Sequence, residues 1–347
     1  MTNSPGISDG EPLAAHTPTA PPTIPPRGGI VVSGVSRSFG DVHAVRSASF
    51  EALPGQVTAL IGPNGSGKTT LLLMLASLLA PDNGTILVDG YDPVEDAAGV
   101  RRAMGWMPDI LGSWPALSVR TTLELTGRMY QLTAEQSAAR AAELIELVGL
   151  DELAEQPTRV LSRGQKQRLS LARALVHDPS VLLLDEPASG LDPVARIALR
   201  ELVRTLADQG KTIIVSSHVL AELDEMADTA VYLNKGVTAS VESVQNSKRT
   251  ARLWRIRATD TAALRAALEK SGIAASAIST DRVELLVPLE GETAAAALLA
   301  KLVTAKIAIS TFAPAVGDLE HTFLDLSRGD SPAASETDTA ASNGDTK

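Results

Sequence analysis

Residues 57–70 read VTALIGPNGSGKTT, an apolar run followed by a glycine-rich loop and a Lys-Thr-Thr triplet. This segment matches the phosphate-binding pattern G-x-x-x-x-G-K-[ST], called the P-loop, with Gly62, Pro63, Asn64, Gly65, Ser66, Gly67, Lys68 and Thr69. Glycines let the backbone wrap around phosphate oxygens, while N–H groups and the helix N-terminus point at them. We therefore predict a nucleotide site in which Lys68 reaches the β- and γ-phosphates, Thr69 ligates Mg²⁺, and Thr70 completes the binding segment.

A second apolar run, at residues 181–184, ends in the carboxylates Asp185 and Glu186. A buried strand that ends in two acids can hold Mg²⁺ and polarise a water beside the γ-phosphate. We predict that Asp185 holds the metal and that Glu186 acts on the water. The alternative is a core strand with solvated acids at its tip, because such strand ends are common.

Strand-like and helix-like segments alternate along the chain from Gly29 onward. Short apolar runs separated by helical segments are typical of a mainly parallel sheet covered on both faces. The runs predicted as strands are residues 57–61, 85–88, 181–184, 212–215 and 231–233.

The strand pattern is interrupted between about residues 121 and 161. Two helical patterns replace it, at residues 121–131 and 134–148. Thr133 is a suitable N-cap for the second helix, and Gly149 a suitable C-terminal stop. The sequence thus predicts an all-helical insert in the sheet domain, which is expected to span residues 29–239.

After about residue 240 the pattern becomes strand, helix, strand, strand, helix and strand. The predicted segments are 252–257, 261–270, 273–278, 283–287, 293–304 and 306–312. This order predicts a small α+β domain of the ferredoxin-like type. We expect it to occupy residues 240–327, and no residue in it has a catalytic spacing.

The composition excludes several classes of protein. The chain has 347 residues, 44% of them hydrophobic, which is enough for a substantial core. Its 31 basic and 41 acidic residues give a net charge of −10, which repels nucleic-acid phosphates and anionic lipid headgroups. The absence of cysteine excludes disulfides, thiolate metal sites and thiol nucleophiles.

The two ends of the chain differ in composition from the middle. Residues 1–28 are rich in Pro, Ser and Thr, and residues 328–347 in small and polar residues, so we expect both to be disordered. The densest apolar stretch, residues 71–80, falls short of the roughly 20 residues that a bilayer span needs. With no apolar stretch at the N-terminus to act as a secretory signal, the chain is predicted to be intracellular.

The segment LSRGQ, residues 161–165, places a small hydroxyl and a glycine at a predicted helix start, which makes a second phosphate-binding terminus. A protein that binds one nucleotide does not obviously need two phosphate-binding helix termini. Here the chain resembles the ATP-binding-cassette (ABC) family, whose signature L-S-G-G-Q is matched except that Arg163 replaces the first glycine. The resemblance covers about residues 29–239 and includes the P-loop, the Asp185–Glu186 pair, a D-loop at 189–192 and a switch histidine, His218.

The resemblance implies an α/β P-loop NTPase fold of the ABC-ATPase type, with a mainly parallel core sheet, an antiparallel β subdomain and a helical insert. Two such cassettes pack head to tail, with each ATP between the P-loop of one chain and the signature of the other. Since this chain has one cassette, the resemblance implies a dimer. Ser162, Gly164 and Gln165 would then contact the partner's ATP, and Asp192 would communicate across the interface.

His218 would hold the γ-phosphate and the attacking water according to the same resemblance. From the sequence alone, a lone histidine at a strand end is more often packed or solvated. Phe39 lies where the family places an aromatic residue that stacks on adenine, and core packing is its alternative.

Basic residues surround Trp254, which suggests a nucleic-acid or headgroup patch; they are Lys248, Arg249, Arg252, Arg255 and Arg257. However, Trp254 and Ile256 alternate with Arg255 and Arg257. This alternation favours a half-buried strand.

Asp109, in the segment MGWMPD, departs from the family pattern, which expects a Gln that bonds Mg²⁺ and the attacking water. A carboxylate can ligate a hard cation but has no N–H to donate. Two interpretations remain: Asp109 performs the Gln role with a tighter dependence on the metal, or it turns outward after Pro108. We expect the first, because Mg²⁺ offsets the repulsion between Asp109 and the phosphate.

A single cassette followed by a small C-terminal domain resembles the ATPases that work with separately encoded bacterial permeases of the ABC-2 type, including drug and antibiotic exporters. We therefore expect an ATP- and Mg²⁺-dependent subunit that energises export from the cytoplasmic face of the membrane, with the helical insert as its docking surface. The alternative is a soluble ABC ATPase that acts on ribosomes or DNA, but the chain lacks the basic surface that such partners favour. A P-loop kinase or GTPase would not explain residues 162–165 or His218.

Overall fold

The computed structural model of the chain describes residues 28–112, 114–240, 243–244 and 251–329. The predictions of disorder for residues 1–27 and 330–347, and the assignments of Lys248 and Arg249, lie outside the described residues. Gly28, which was included in the disordered segment, is instead buried, and its N–H donates to Asp89 at 2.5 Å.

The described strands are β1 (Ile30–Phe39), β2 (Val42–Ala52), β3 (Val57–Ile61), β4 (Asn83–Val88), β5 (Met104–Met107), β6 (Val181–Asp185), β7 (Thr212–Ser216), β8 (Thr229–Asn234), β9 (Val237–Thr238), β10 (Arg252–Ala258), β11 (Ser279–Asp281), β12 (Glu284–Leu289) and β13 (Ile309–Pro314). The described α-helices are α1 (Lys68–Leu75), α2 (Ala97–Ala103), α3 (Val119–Met129), α4 (Ala134–Leu147), α5 (Arg163–Leu175), α6 (Pro193–Asp208), α7 (Leu220–Asp224), α8 (Thr261–Lys270), α9 (Gly291–Thr304) and α10 (Asp318–Gly329).

The larger sheet has the strand order β4-β1-β2-β9-β8-β3-β7-β6-β5. Strands β8, β3, β7, β6 and β5 are mutually parallel, whereas β1 pairs antiparallel with both β2 and β4. All residues of β3, β6 and β7 are buried, as expected for central parallel strands with both faces covered.

Alternate residues of the central strands enter two different hydrophobic cores. In β6, Leu182 and Leu184 pack into the core that also holds residues of α3 to α6, whereas Val181 and Leu183 pack into the core beneath α1 and the antiparallel strands. The period of two in a strand explains this division. The prediction of a mainly parallel sheet covered on both faces is confirmed.

The helical insert is formed by α3 and α4, which pack against each other. Thr133 caps α4 through a capping box with Gln136, and Gly149 adopts a φ of +61° just after the helix, as expected for a stop. Helix α3 begins and ends two residues earlier than predicted, because Ser118 accepts the N–H of Thr121 and so caps the helix at Val119.

The smaller sheet has the order β11-β12-β10-β13, and all of its pairs are antiparallel. Helices α8 and α9 cover it, which gives the predicted β-α-β-β-α-β order. The strand predicted at residues 273–278 is wrong, because Ala275–Ala277 form a 3-10 turn and the strand begins at Ser279. The last strand starts at Ile309 rather than at 306, where Lys306 has a φ of +58°.

Helix α10 was not predicted and returns from the smaller sheet to the first core. Leu319, Phe323 and Leu326 pack against that core, and Asp224 at the end of α7 accepts the N–H of Leu319 at 2.8 Å. The helix includes residues 328 and 329, the first two of the segment predicted as a tail. The i, i+4, i+7 spacing of Leu319, Phe323 and Leu326 could have indicated an amphipathic helix in the sequence.

Candidate functional site

The predicted site residues follow four neighbouring strands of the larger sheet. The P-loop follows β3, His218 follows β7, the Asp185–Glu186 pair ends β6, and Asp109 follows β5. Since these strands are parallel, all four segments emerge at one edge of the sheet. In an open α/β sheet, the carboxyl ends of the strands form the ligand-binding edge.

The glycines of the P-loop are required by close packing. A Cβ on Gly62 would lie 2.2 Å from the carbonyl oxygen of Leu233, and one on Gly67 would lie 2.3 Å from that of Ala44. Gly67 also has a φ of +104° and precedes α1 without any side-chain cap. The first turn of α1 contains no acidic residue, so its N–H groups and positive dipole end are available to an anion.

Two polar side chains of the P-loop are held in unusual surroundings. Lys68 Nζ donates to the carbonyl oxygens of Gly62 at 2.7 Å and Pro63 at 3.3 Å. Burial lowers the pKa of Lys68, while Glu186 and Asp185 oppose that shift. Ser66 Oγ is buried and has no hydrogen-bond partner in the described part of the chain. Loops of this kind bind phosphate oxygens through successive backbone N–H groups.

Asp185 is 8% exposed and accepts hydrogen bonds from the Ser216 hydroxyl and from the backbone N–H of Asp109. Burial raises the pKa of Asp185, and the charge of Asp109 raises it further. A buried carboxylate beside a second acid is a favourable ligand for a hard cation, which would offset both effects.

Glu186 lies directly after β6 in a left-handed conformation, with a φ of +52°. A non-glycine residue pays about 1–3 kcal/mol for such a conformation, which occurs most often at functional sites. Its Oε2 lies 2.7 Å from His218 Nδ1. Burial raises the pKa of Glu186, and the hydrogen bond from His218 opposes that shift.

Asp109 and Thr69 are exposed at the same edge as Asp185. The charge of Asp109 raises the pKa values of both Asp185 and Glu186. No group of three or more His, Asp or Glu side chains among the described residues could bind a metal alone. The oxygen donors of Thr69, Asp185 and Asp109 nevertheless suit Mg²⁺, which takes one or two carboxylates and completes its shell with water and phosphate oxygens.

The first turn of α5 is a separate feature. Ser162 Oγ accepts the N–H of Gln165 at 3.2 Å, and Gln165 Oε1 accepts that of Ser162 at 2.8 Å, so the two residues form a capping box. A Cβ on Gly164 would lie 3.3 Å from Leu191 Cδ2, so a larger residue at this position would crowd Leu191. Among the described contacts, no hydrogen bond joins this turn to the P-loop, so the chain brings these residues to its surface rather than to its own phosphate loop.

Phe39, Asp192 and Thr70 complete the predicted set. Phe39 ends β1, is 48% exposed, and has the Arg37 guanidinium 5.0 Å from its ring centroid. Its exposure is inconsistent with a core-packing role. Asp192 caps α6 by accepting the N–H of Ala195 at 2.9 Å, and Thr70 is half-buried in the first turn of α1.

Two residues at the site were not predicted. Gln167, buried in α5, donates to the carbonyl oxygen of Glu186 at 2.8 Å, and Ser216 bonds both Asp185 and the N–H of Glu186. A buried Gln two residues beyond a helix-start motif gives no periodic signal. The position of Ser216 at the end of a neighbouring strand was the one available indication.

The basic patch around Trp254 is part of a strand. Trp254 and Ile256 of β10 are buried, Arg252 pairs with Asp318, and Arg255 donates to the carbonyl oxygen of Ala315. The prediction of a half-buried strand is confirmed.

Within the described residues, no helix is both long enough and apolar enough to cross a bilayer.

Comparison with known proteins connects this site to one family. Residues 45–189 match the family model described as ABC transporter. The ABC transporter ATP-binding protein NatA of Bacillus subtilis is 34% identical over 229 residues, which cover 64% of this chain and 93% of NatA. The Nod factor export ATP-binding protein I of Paraburkholderia xenovorans is 40% identical over 61% of this chain and 69% of its own length.

Solved structures have the same fold. A dimeric structure of the ATP-binding cassette MJ0796, bound to ADP and Pi, superposes with a TM-score of 0.56 at 24% sequence identity and covers 61% of this chain and 97% of that chain. The expected α/β cassette fold and the resemblance on which it was based are both confirmed.

Proposed function

The chain belongs to the family of ABC transporter ATP-binding proteins, and we propose that it binds and hydrolyses ATP to energise export through separate transmembrane permease subunits. The observation that carries this proposal is the convergence of Lys68, Asp185, Glu186 and His218 at one sheet edge. The relative from Paraburkholderia xenovorans is named a Nod factor export ATP-binding protein, and this supports export as the direction of transport.

The P-loop would bind the phosphates of ATP. Backbone N–H groups of residues 62–70 would face the phosphate oxygens, and Lys68, already held over the loop by two carbonyl oxygens, would supply a positive charge. The buried Ser66 hydroxyl, which has no hydrogen-bond partner in the described part of the chain, would donate to a phosphate oxygen. The exposed ring of Phe39 would stack on adenine, since aromatic–base stacking needs one free ring face.

Thr69, Asp185 and Asp109 would hold Mg²⁺. When bound, the ion neutralises phosphate charge and helps to orient the terminal phosphate. The proposal is supported by the raised pKa of Asp185, because a buried carboxylate near a second acid is stabilised in its charged form when a cation binds it.

Glu186 would accept a proton from the attacking water. Its strained backbone places the carboxylate at the strand end, and Gln167 and Ser216 fix that backbone from two sides. The raised pKa of Glu186 brings it closer to that of a working general base. His218 would orient this carboxylate and contact the γ-phosphate.

A second copy of the chain would complete each site. The exposed Ser162 and the half-buried Gly164 and Gln165 form a helix start with no described hydrogen bond to the P-loop of the same chain, so a head-to-tail partner would bring the two together. Asp192, which caps the neighbouring helix, would lie at the same interface.

The permease would dock beside Asp109. Ile110 is 85% exposed and Met129 is 70% exposed, and with Trp114 they line a groove between α3 and the segment after β5. This groove, which Ser170 and Arg173 also line, begins at the residue following Asp109 and provides a short route from a docked permease to the nucleotide. Docking there would hold the subunit at the cytoplasmic face of the membrane.

Replacing Glu186 by Gln tests the ATPase and the dimer together. Glu186→Gln keeps the shape of the side chain but removes its basicity, so turnover should fall by about 10²- to 10⁴-fold while ATP still binds. ATP-bound dimers should then accumulate and elute early in size exclusion with Mg²⁺. The control Glu201→Gln, an exposed position on α6, should behave as wild type. Wild-type turnover in Glu186→Gln, or a variant that stays monomeric in ATP, would refute the proposal.

A further inference from the structure

Helix α5 holds the segment that follows Glu186 at two points. Gln167 Nε2 donates to the carbonyl oxygen of Glu186, and Arg163 Nη2 donates to Ser189 Oγ, both at 2.8 Å. Residues 163 and 167 are four apart and therefore lie on one face of the helix. The segment is thus attached both at the carboxylate and at its turn three residues later.

Arg163 also packs over the backbone of Gly190. A Cβ on Gly190 would lie 2.7 Å from Arg163 Cδ and 2.8 Å from Nε, and Gly190 has a φ of +77°. The arginine stem therefore occupies the space that any side chain at residue 190 would need. The guanidinium contact with Ser189 and the stem contact with Gly190 together fix the turn against the first residue of α5.

This attachment depends on the departure of the chain from the signature pattern. The matched motif has glycine where this chain has Arg163, and glycine has no side-chain donor. The hydrogen bond to Ser189 is consequently a feature of this sequence and not of the motif itself.

We propose that Arg163 is a positioning residue that couples the two ATP sites of the dimer. The inference rests on the proposed function, in which Ser162 contacts the ATP bound to the partner chain. Arg163 is adjacent to Ser162 and bonded to Ser189, which in turn donates its N–H to the carbonyl oxygen of Glu186 at 3.1 Å. ATP engaged by Ser162 in one site therefore stabilises the position of Glu186 in the other.

The expected consequence is cooperative hydrolysis. Energetic coupling between sites requires a physical connection that both ligands bias, and here the connection consists of one side-chain hydrogen bond and one backbone hydrogen bond. Because the Arg163–Ser189 bond is exposed, its loss should change rates only about two- to tenfold. ATP affinity of the isolated P-loop should not change, since Arg163 does not touch it.

The test is an ATP titration of steady-state hydrolysis by wild type, Arg163→Ala, Ser189→Ala, the double variant and Arg163→Lys. Wild type should give a Hill coefficient clearly above 1. Both alanine variants should give a coefficient near 1 and a lower kcat, with unchanged nucleotide affinity in the monomer. The double variant should be no worse than the worse single variant, because both changes remove the same bond.

Arg163→Lys should recover part of the cooperativity, since its stem can pack over Gly190 and its ammonium can donate to Ser189 Oγ, but it lacks the rigid planar guanidinium that fixes the direction of that bond. The control Arg102→Ala removes an exposed charge on α2 and should leave the Hill coefficient unchanged. Ser189→Ala removes a single oxygen and keeps the test valid if Arg163→Ala does not fold.

Two failures are distinguishable. If Glu186→Gln forms no dimer in ATP, the proposed function fails before Arg163 is considered. If that dimer forms but wild type has a Hill coefficient of 1, or Arg163→Ala and Ser189→Ala keep the wild-type coefficient, the coupling role of Arg163 is wrong. Additive losses in the double variant would also overturn it, because the two residues would then act separately.

Discussion

The two sheets of the molecule differ in what they bury. At the carboxyl edge of β3, β7, β6 and β5, the charged groups Lys68, Asp185 and Glu186 are partly or fully buried and all have shifted pKa values. In the smaller sheet the residues that form the described core are apolar, among them Trp254, Ile256 and Leu285. Burying charge costs stability unless a ligand or partner offsets it, whereas burying apolar area contributes stability.

The difference suggests separate purposes for the two regions. The larger sheet keeps a strained Glu186 and an orphaned Ser66 hydroxyl, which a protein selected only for stability would lose. In the smaller sheet Trp254 Nε1 is likewise buried without a hydrogen-bond partner, but no buried charged side chain accompanies it among the described residues. Substitutions in the first region should therefore change activity with little effect on folding, and substitutions in the second should do the reverse.

Lys68→Ala should have the largest effect on activity. It removes charge-assisted hydrogen bonds to two phosphates, each contributing about 1.5–3 kcal/mol, so ATP should bind about 10²-fold more weakly or worse. The apo protein should keep its melting temperature, because the burial of the Lys68 charge offsets the hydrogen bonds that its ammonium makes to Gly62 and Pro63. Isothermal titration with ATP and thermal unfolding without nucleotide check both expectations.

Lys301→Ala, on α9 of the smaller domain, is the matched control for Lys68→Ala and should bind ATP as wild type. Unchanged ATP affinity in Lys68→Ala would refute the P-loop assignment. A large loss of apo stability would instead contradict the contrast between the two sheets.

Ile256→Ala should produce the opposite result. Ile256 is fully buried in the central strand β10, and truncation of a buried Ile costs about 2–5 kcal/mol. Hydrogen exchange in β10 and β12 should accelerate accordingly, while the ATP affinity of the folded cassette stays the same. Arg257→Ala, on the exposed face of the same strand, should change neither quantity measurably.

If Ile256→Ala lowered the free energy of ATP binding by as much as it lowered the stability of the smaller sheet, the two regions would be energetically coupled, and the contrast between them would be wrong. Helix α10 makes this a real test, because it leaves the smaller sheet and packs on the cassette core next to α7, the helix that follows His218.

The larger sheet and its site could be predicted well because chemistry fixes their residues at short spacings. A loop that surrounds phosphate needs glycines at set positions, and Gly62 and Gly67 meet backbone oxygens that exclude any side chain. Likewise, Asp185 and Glu186 end a wholly apolar strand, a pattern with few interpretations. Thr133 and Gly149 gave the limits of α4 because caps are local signals.

The remaining features depend on contacts between distant residues. Gln167 acts on Glu186 across the space between a helix and a strand, and no local pattern identifies that contact. Residues 274–277 are alanines and a serine, so neither a strand nor a turn was favoured by side-chain size, and the 3-10 turn follows from how Ile278 enters the core. The roles of the site residues remain predictions, because they concern a bound nucleotide.

Asp109→Asn should have the smallest effect and gives the sharpest test of the sheet edge. The charge of Asp109 raises the pKa of Asp185, so it opposes the folded apo state and should favour a bound cation. Removing the charge should raise the Mg²⁺ concentration for half-maximal ATPase by about two- to tenfold, since Mg²⁺ relies on one or two carboxylates. Asp109→Gln should retain most turnover, because Gln is the residue that the family pattern expects here and its longer side chain offers both an amide oxygen to the metal and an N–H to the water. Asp281→Asn in β11, an exposed acid of the smaller sheet, is the control. Superimposable Mg²⁺ titrations for wild type and Asp109→Asn would remove the Asp109 side chain from the metal site and leave the interpretation in which it turns outward after Pro108.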